Sequence, residues 1–188
     1  SGGGRYRADF DSGGLGNPLD FTAATTSFDV LGPVPPLAAG DSIVVFNLGD
    51  GFSGADAYAG GANNRAAYSS SAGSTITLAA AKLFPFESPG KRFHVVRYAV
   101  TYECAPNAGN PAAGVIRRYW NYGINAAQGT PPAGGSNALM ASQVKACSIT
   151  YDSAIATQRA GVVAMALTLE KNNEAVSLYH QTHVNNIP

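Results

Sequence analysis

The chain has 188 residues, which is enough for one domain with a sizeable core but short for two. Its 12 basic and 12 acidic residues balance, and charged residues make up only 13 % of the chain, which argues against a nucleic-acid partner held by a basic stripe. No stretch of the sequence approaches the roughly 20 apolar residues that span a bilayer. We therefore expect a single domain, residues 1–188, that binds no nucleic acid.

The first half of the chain predicts short strands separated by an unusually long loop. TTSFDVL fits a short strand, and DSIVVFNL, from Asp41 to Leu48, fits a clearer one because a β-branched apolar run lies between two glycines. The stretch from 49 to 73 is too rich in Gly and Ser for a regular element, and it exceeds the usual length of a connection. Long loops are usually functional or disordered, so we predict that this one matters.

The second half predicts strands and hairpins. STITLA alternates like a strand, and the run from Arg92 to Glu103 alternates over its whole length, as a half-exposed antiparallel strand does. VIRRYWNYGI is predicted as its return strand, and SNALMASQVK as a place for a single helical turn. The chain then closes with a hairpin, GVVAMALTLE and AVSLYHQTHV, whose tip holds Asn172 and Asn173 because asparagine tolerates positive φ. No helical periodicity is sustained, so the chain is predicted to be mostly β.

Two cysteines permit one internal pair, Cys104 with Cys147, and both lie in strand-like runs. A disulfide between them would close a loop of 43 residues, which stabilises the fold by about 4 kcal/mol on the loop-entropy model. It would also indicate an oxidising compartment such as the periplasm or the cell exterior. The alternative is two buried free thiols.

Candidate ligand-binding side chains are few. The pair His180 and His183 lies on a predicted strand, where residues three apart point to opposite faces, so one metal ion could not bind both without a bend. The long loop carries oxygen donors that suit calcium, but their spacing departs from the EF-hand pattern, and a solvated loop is the alternative. These donors are Asp50, Asp56, Asn63 and Asn64. We expect no cofactor, with calcium in the 49–64 loop as the one candidate.

The sequence contains no motif for nucleophilic catalysis or phosphate binding in the required context, so we predict a protein that is not an enzyme and has no small-molecule substrate. The aromatic residues Tyr119, Trp120 and Tyr122 could form a stacking surface for sugars, or they could pack a sheet face. Both interpretations stay open on the sequence.

The hairpin motifs resemble those of a known family. RYAVTYEC, a linker and VIRRYWNYGI resemble the central hairpin of bacterial minor pilins of the MSHA biogenesis protein MshO type. RAGVVAMALTLEKNNEAVSLYHQTHVNNIP resembles their closing hairpin and tail, including His180, Gln181 and Pro188. This family is related to the J-type minor pseudopilin of type II secretion systems.

The resemblance implies an α+β pilin-like fold, of which this chain would be a periplasmic head domain, mainly an antiparallel β-sheet, with the N-terminal helix missing. It implies a structural minor pilin or pseudopilin that takes part in assembling or priming a type IV pilus or a type II secretion pseudopilus. Its partners would be other minor and major pilins or pseudopilins, and the inner membrane through that helix. Its location would be the periplasm, anchored in the inner membrane, or an extracellular pilus of a Gram-negative bacterium.

One surface is therefore predicted to bind partners. The long loop is a candidate contact surface for neighbouring subunits, through Asp50, Phe52, Asp56, Tyr58 and Asn63. The rival hypothesis is a secreted carbohydrate-binding β-sandwich that uses the aromatic residues as its platform.

Overall fold

The structure, a computed structural model, describes residues 2–49, 51–61, 63–152 and 160–185. The chain divides into two compact units where the sequence predicts one domain. The barrel unit comprises residues 2–97 with 124–126, and the two-sheet unit comprises residues 98–123 with 127–185.

The barrel unit is a closed barrel of six antiparallel strands in the order β1–β2–β5–β4–β3–β6, with β6 pairing back onto β1. The strands are β1 (Gly3–Tyr6), β2 (Thr25–Leu31), β3 (Ser42–Val45), β4 (Arg65–Ala72), β5 (Thr75–Lys82) and β6 (Arg92–Val96). Closure leaves no free edge, so every strand of this unit has two neighbours.

The barrel is filled by the inward-facing residues of its strands. These residues alternate along each strand, as in Phe28 and Val30 of β2 or Phe93 and Val95 of β6, because successive side chains of a strand point to opposite faces. The rings of Phe28 and Phe93 meet edge to face, with centroids 5.5 Å apart. Gly4 lies over Phe93, where an added Cβ would come within 2.9 Å of the ring. The tight packing at this point therefore requires a glycine on β1.

A buried tyrosine ties the first strand to the segment before β6. The Tyr6 hydroxyl accepts a hydrogen bond from the Ser88 N–H at 3.1 Å and donates one to the Ser88 carbonyl at 3.3 Å. Burial raises the pKa of Tyr6 to about 12, so the hydroxyl stays protonated and keeps both bonds.

The two-sheet unit consists of two three-stranded antiparallel sheets, β7–β8–β9 and β10–β11–β12. The strands are β7 (Val100–Ala105), β8 (Val115–Trp120), β9 (Ser136–Ser142), β10 (Val144–Asp152), β11 (Ala160–Lys171) and β12 (Glu174–Asn185). A single 3-10 turn, Pro111–Ala113, lies in the β7–β8 connection. The β11–β12 hairpin turns at Asn172 and Asn173, both at positive φ, as the sequence predicts.

The two sheets of this unit contact each other through a small core and a covalent link. Ile116 of β8, Val144 of β10 and Leu167 of β11 are buried together. The predicted disulfide is confirmed: Cys104 of β7 is bonded to Cys147 of β10, with the Cα atoms 6.2 Å apart.

A glycine allows the start of β10 to approach the β7–β8 connection closely. The Val144 N–H donates to the Gly114 carbonyl at 3.2 Å, and the Val144 carbonyl accepts from the Asn107 N–H at 3.0 Å. A Cβ at position 114 would clash with the Val144 carbonyl oxygen. Gly114 is therefore required by space, and its φ of −76° is one that any residue adopts.

The predicted α+β pilin-like fold is wrong for this chain. Over the described residues, the only helical segment is Pro111–Ala113, and the largest sheet closes into a barrel. The reason lies in the pattern of the sequence: apolar residues recur every second position and Gly interrupts the runs, which favours short paired strands over helices. No helix within the described part of the chain is long and apolar enough to cross a membrane.

Three local predictions are also corrected. The alternating run from Arg92 to Glu103 forms two strands in different sheets, β6 and β7, instead of one. The Gly- and Ser-rich stretch contains β4, which pairs with β3 and β5 to complete the barrel. SNALMASQVK forms β9 and the start of β10, because pairing with β8 overrides the helical propensity of its Ala, Leu and Met residues.

Candidate functional site

The sheet β10–β11–β12 has one apolar face and one mostly polar face. Its register places Ile149, Met165 and His180 in one cross-strand row, and Cys147, Leu167 and Leu178 in the next. Residues in such a row share a face, because side chains directly opposite each other in a sheet point the same way. The rows on either side add Tyr151, Val163 and Thr182, and Val144, Leu169 and Val176.

Part of this apolar face is covered and part is open. Val144, Cys147, Leu167 and Leu169 pack in the small core that joins the two sheets. Beyond that core the same face continues in solvent: Ile149 is 41 % exposed, Tyr151 60 %, Val176 60 % and Leu178 54 %. We call these four residues, with the half-buried Val163 and Met165 between them, the open apolar face.

The opposite face of the sheet has a different chemistry. On β12 it presents Ser177, Tyr179, Gln181 and His183, all exposed. Neighbouring residues of one strand therefore show different surfaces: Leu178 belongs to the open apolar face, and Tyr179 to the polar one. This alternation makes β12 a natural place for matched variants.

β12 is also a long edge strand. It runs for 12 residues and, over the described residues, pairs only with β11. A strand edge offers unpaired N–H and C=O groups to a partner, and proteins that do not use such edges usually protect them. The open apolar face and this edge adjoin each other at Val176 and Leu178.

The predicted interaction loop is a packed element, and only part of its predicted surface faces solvent. Asp56 and Asn63 are buried, whereas Phe52 and Tyr58 are 46 % and 43 % exposed. Asp50 lies outside the described residues.

Two of the oxygen donors proposed for calcium bond within the protein. The Asp56 carboxylate accepts the Tyr58 N–H at 2.8 Å, and the Asn63 side-chain oxygen accepts the Arg65 N–H at 3.0 Å. The neighbouring Asn64 is buried, and its amide nitrogen donates to the Phe46 carbonyl at 3.0 Å, whereas its side-chain oxygen is buried without a hydrogen-bond partner among the described residues. The described residues contain no group of three or more His, Cys, Asp or Glu side chains placed to hold a metal ion.

The predicted aromatic residues do not share one surface. Tyr119 is buried on the face of β8 opposite to Trp120, and its hydroxyl donates to the Glu103 carboxylate at 2.7 Å, a bond that raises the pKa of the tyrosine. The Arg118 guanidinium lies over the Trp120 ring at 4.8 Å. Tyr122 follows the strand, and its hydroxyl is within 2.7 Å of the Thr101 hydroxyl. Because Tyr119 and Trp120 lie on opposite faces of β8, the three rings do not form one platform.

The C-terminal histidines are placed as the sequence predicts. His180 pairs with Met165 and His183 with Val162, which puts the two imidazoles on opposite faces of β12. Pro188, part of the tail that carries the family resemblance, lies outside the described residues.

Sequence reasoning did not locate the open apolar face, although a signal for its position was present. Val176 and Leu178 alternate with polar residues along AVSLYHQTHV, which indicates a strand with one apolar side. That pattern predicts a buried face. Only the structure shows that the sheet β7–β8–β9 covers one part of this face and leaves the rest exposed.

Comparison with known proteins adds no relative. No protein-family model matches the chain, and neither a curated protein nor a solved structure is significantly similar to it.

Proposed function

We propose that the protein is a structural, non-enzymatic subunit of an extracytoplasmic assembly, of the kind formed by minor pilins and pseudopilins. In this proposal it helps to assemble or prime a type IV pilus or a type II secretion pseudopilus. The open apolar face is the observation that carries the proposal, because it is a surface for another protein chain.

The physical argument rests on the cost of leaving that face in water. Burying apolar surface stabilises a complex by roughly 25 cal/mol per Å², and contiguous exposed apolar patches rimmed by polar residues mark interaction sites in soluble proteins. The open apolar face continues the buried contact between the two sheets, so a partner there would extend a packed core already begun by Leu167 and Leu169.

The composition of the face favours a protein partner with a largely apolar surface. Its exposed apolar members are Ile149, Tyr151, Val176 and Leu178, and the polar residues exposed beside them on the same face of β12 are His180 and Thr182. Subunit interfaces in permanent assemblies are similarly depleted in charged residues at their centre. We therefore propose a neighbouring filament subunit as the partner.

The disulfide supports an extracytoplasmic location. Disulfides form and persist in oxidising compartments such as the periplasm, and Cys104–Cys147 joins the two sheets of one unit. The hairpin and tail motifs support the choice of pilus and pseudopilus subunits, although the fold predicted from the same resemblance is wrong. Anchoring in the inner membrane and presence in an extracellular pilus remain parts of the proposal.

The test uses two adjacent positions of β12 that face opposite ways. A photo-cross-linking amino acid replaces Leu178 in one variant of the full-length protein and Tyr179 in the other, and both are expressed in the source bacterium. The two side chains are similarly exposed, at 54 % and 67 %, so the Tyr179 variant is a matched control. Mass spectrometry then identifies each cross-linked protein.

We expect the Leu178 probe to cross-link to a pilus or pseudopilus subunit and the Tyr179 probe to do so much less. Leu178→Ser should reduce filament assembly or secretion while the purified variant stays folded. Equal cross-linking from both faces, or cross-links from Leu178 only to proteins outside any filament, would contradict the proposal. Glycans bound by the wild type but not by Trp120→Ala would instead favour the carbohydrate-binding alternative.

A further inference from the structure

A groove on the outside of the barrel unit carries three basic side chains. It lies where β1 pairs with β6 and has a volume of about 440 Å³. Its lining comprises Gly3, Gly4 and Arg5 of β1, Leu31 and Pro33 at the end of β2, and Arg92, Phe93 and His94 of β6. We call it the basic groove.

Two arginines of the groove face each other directly. Arg5 and Arg92 are cross-strand partners in the β1–β6 ladder, and both are exposed on the outer face of the barrel. Like charges placed directly opposite each other in a sheet are destabilising. Within the described residues, neither guanidinium has a carboxylate within ion-pair distance.

The basic residues next to Arg5 and Arg92, in contrast, have acidic partners. Arg7, the residue after β1, lies 3.7 Å from the Asp29 carboxylate, and Lys91, the residue before β6, pairs with Glu87. Basic residues on either side of the groove thus have acidic partners, whereas Arg5 and Arg92 between them have none among the described residues. An anion placed between these two guanidinium groups would neutralise both.

His94 adds an unsatisfied polar atom to the wall of the groove. It follows Arg92 on the same face of β6. Of its two cross-strand partners, Gly3 of β1 places no side chain beside it, and Val44 of β3 lies on the other side. The Nε2 atom of His94 is buried and has no hydrogen-bond partner in the described structure. Leaving a buried polar atom without a hydrogen bond is unfavourable, so this atom calls for an explanation.

We propose that the basic groove binds an oxyanion group of a small ligand between Arg5 and Arg92, beside His94. The planar guanidinium fork matches the oxygen atoms of carboxylate, sulfate and phosphate groups, and two opposed forks can hold one such group from both sides. Leu31 and Pro33 provide an apolar wall against which the rest of the ligand can lie. The binding energy includes relief of the repulsion between the two arginines.

The test measures anion binding to the complete 188-residue chain. Sodium phosphate, sodium sulfate and sodium glucuronate are titrated separately at a constant ionic strength of about 150 mM, with sodium chloride as the reference, and binding is followed by calorimetry and by the midpoint of thermal unfolding. This ionic strength screens exposed charges beyond about 8 Å and so weakens nonspecific attraction of anions to the surface, and saturation in calorimetry separates binding from the general stabilising effect of sulfate and phosphate. We expect saturable binding of at least one oxyanion and none of chloride.

Variants separate the site from the general effect of charge. Arg5→Gln and Arg92→Gln should each weaken binding at least tenfold. Arg118→Gln, which removes the same charge from β8 of the other unit, should leave binding unchanged. Without added oxyanion, Arg92→Gln should raise the unfolding midpoint by about 1–3 °C because the opposed charges are gone.

Each outcome bears on the proposal. Preference for phosphate or sulfate assigns a tetrahedral anion, and preference for glucuronate assigns a carboxylated sugar or similar acid; either supports the site. Absence of saturable binding by all three anions overturns the proposal, as does equal weakening by Arg118→Gln. The assembly proposal does not share this surface, so failure here leaves the Leu178 experiment unaffected.

Discussion

The two units of the chain achieve their stability by different means. The barrel unit buries twelve residues in one core, led by large side chains such as Tyr6, Phe28 and Phe93. The two-sheet unit joins its sheets through a core of three buried residues and a disulfide. Apolar residues of its longest hairpin remain exposed on the face that this small core leaves uncovered.

A closed barrel and a three-stranded sheet differ in where they can form a binding surface. A closed barrel turns its apolar residues inward and has no free edge, so its outer face is available for polar functions such as the basic groove. A three-stranded sheet has two edges and one apolar face, and any part of that face left uncovered can be used by a partner. The comparison predicts that the two units respond differently to three perturbations.

The largest effect is expected in the barrel core. Phe93→Ala removes a buried ring that packs edge to face on Phe28, and such a substitution costs about 3–5 kcal/mol. The free energy of unfolding is measured by urea denaturation with far-UV circular dichroism. The fluorescence of Trp120, the only tryptophan in the chain, reports the two-sheet unit in the same samples and should shift less.

Leu31→Ala is the matched control for this prediction, because Leu31 is an apolar residue of the barrel that is 44 % exposed. Its cost should be much smaller than that of Phe93→Ala. Equal shifts of the circular dichroism and fluorescence transitions in Phe93→Ala would mean that the two units unfold as one. This result would contradict the prediction that the substitution destabilises the barrel unit more than the two-sheet unit.

The next effect is expected from the disulfide. Replacing Cys104 and Cys147 by serine removes a link that closes a separation of 43 residues, which costs about 4 kcal/mol on the loop-entropy model. We expect the transition followed by Trp120 fluorescence to shift to lower urea, and reduced wild-type protein to behave like the variant. An unchanged Trp120 transition would show that the small core holds the two sheets together without the disulfide.

The smallest effect tests an ion pair of the barrel unit between a buried carboxylate and an exposed arginine. The Asp41 carboxylate is 1 % exposed and accepts hydrogen bonds from Arg97 Nε at 2.9 Å, from Arg97 Nη2 at 3.2 Å and from the Ala38 N–H at 2.9 Å. The Arg97 side chain is the main cause that lowers the pKa of Asp41 below its usual 3.8. Asp41→Asn should therefore cost about 2 kcal/mol at neutral pH.

The pH dependence of this cost has a defined sign. A carboxyl group whose pKa is lower in the folded state stabilises the fold at pH values above its unfolded pKa of 3.8, and this contribution is lost as the pH falls through the folded value. The difference in unfolding free energy between wild type and Asp41→Asn should thus be constant from pH 5 to 7 and shrink below about pH 4. A difference that grows in acid would contradict this assignment.

Local pattern was enough to place several elements. TTSFDVL forms β2 with the predicted bounds, and the closing hairpin turns at Asn172 and Asn173, because β-branched alternation and the tolerance of asparagine for positive φ act over a few residues. The number of cysteines likewise predicted their pairing, since two allow only one pair. The packing of the long loop could not be predicted, because no local pattern reveals that Asn63 and Asn64 are buried.

Residue patterns alone predict that the chain forms short antiparallel strands and which two cysteines pair. Which strands pair with each other became known only from the fold. The run from Arg92 to Glu103 divides between two sheets, Arg5 lies opposite Arg92, and Leu178 lies beyond the covered part of its sheet. The physical reason is that a strand's period of two selects a face but not a neighbour. Strand partners are chosen by contacts between residues far apart in the chain, and the fold class and both proposed surfaces depend on those contacts.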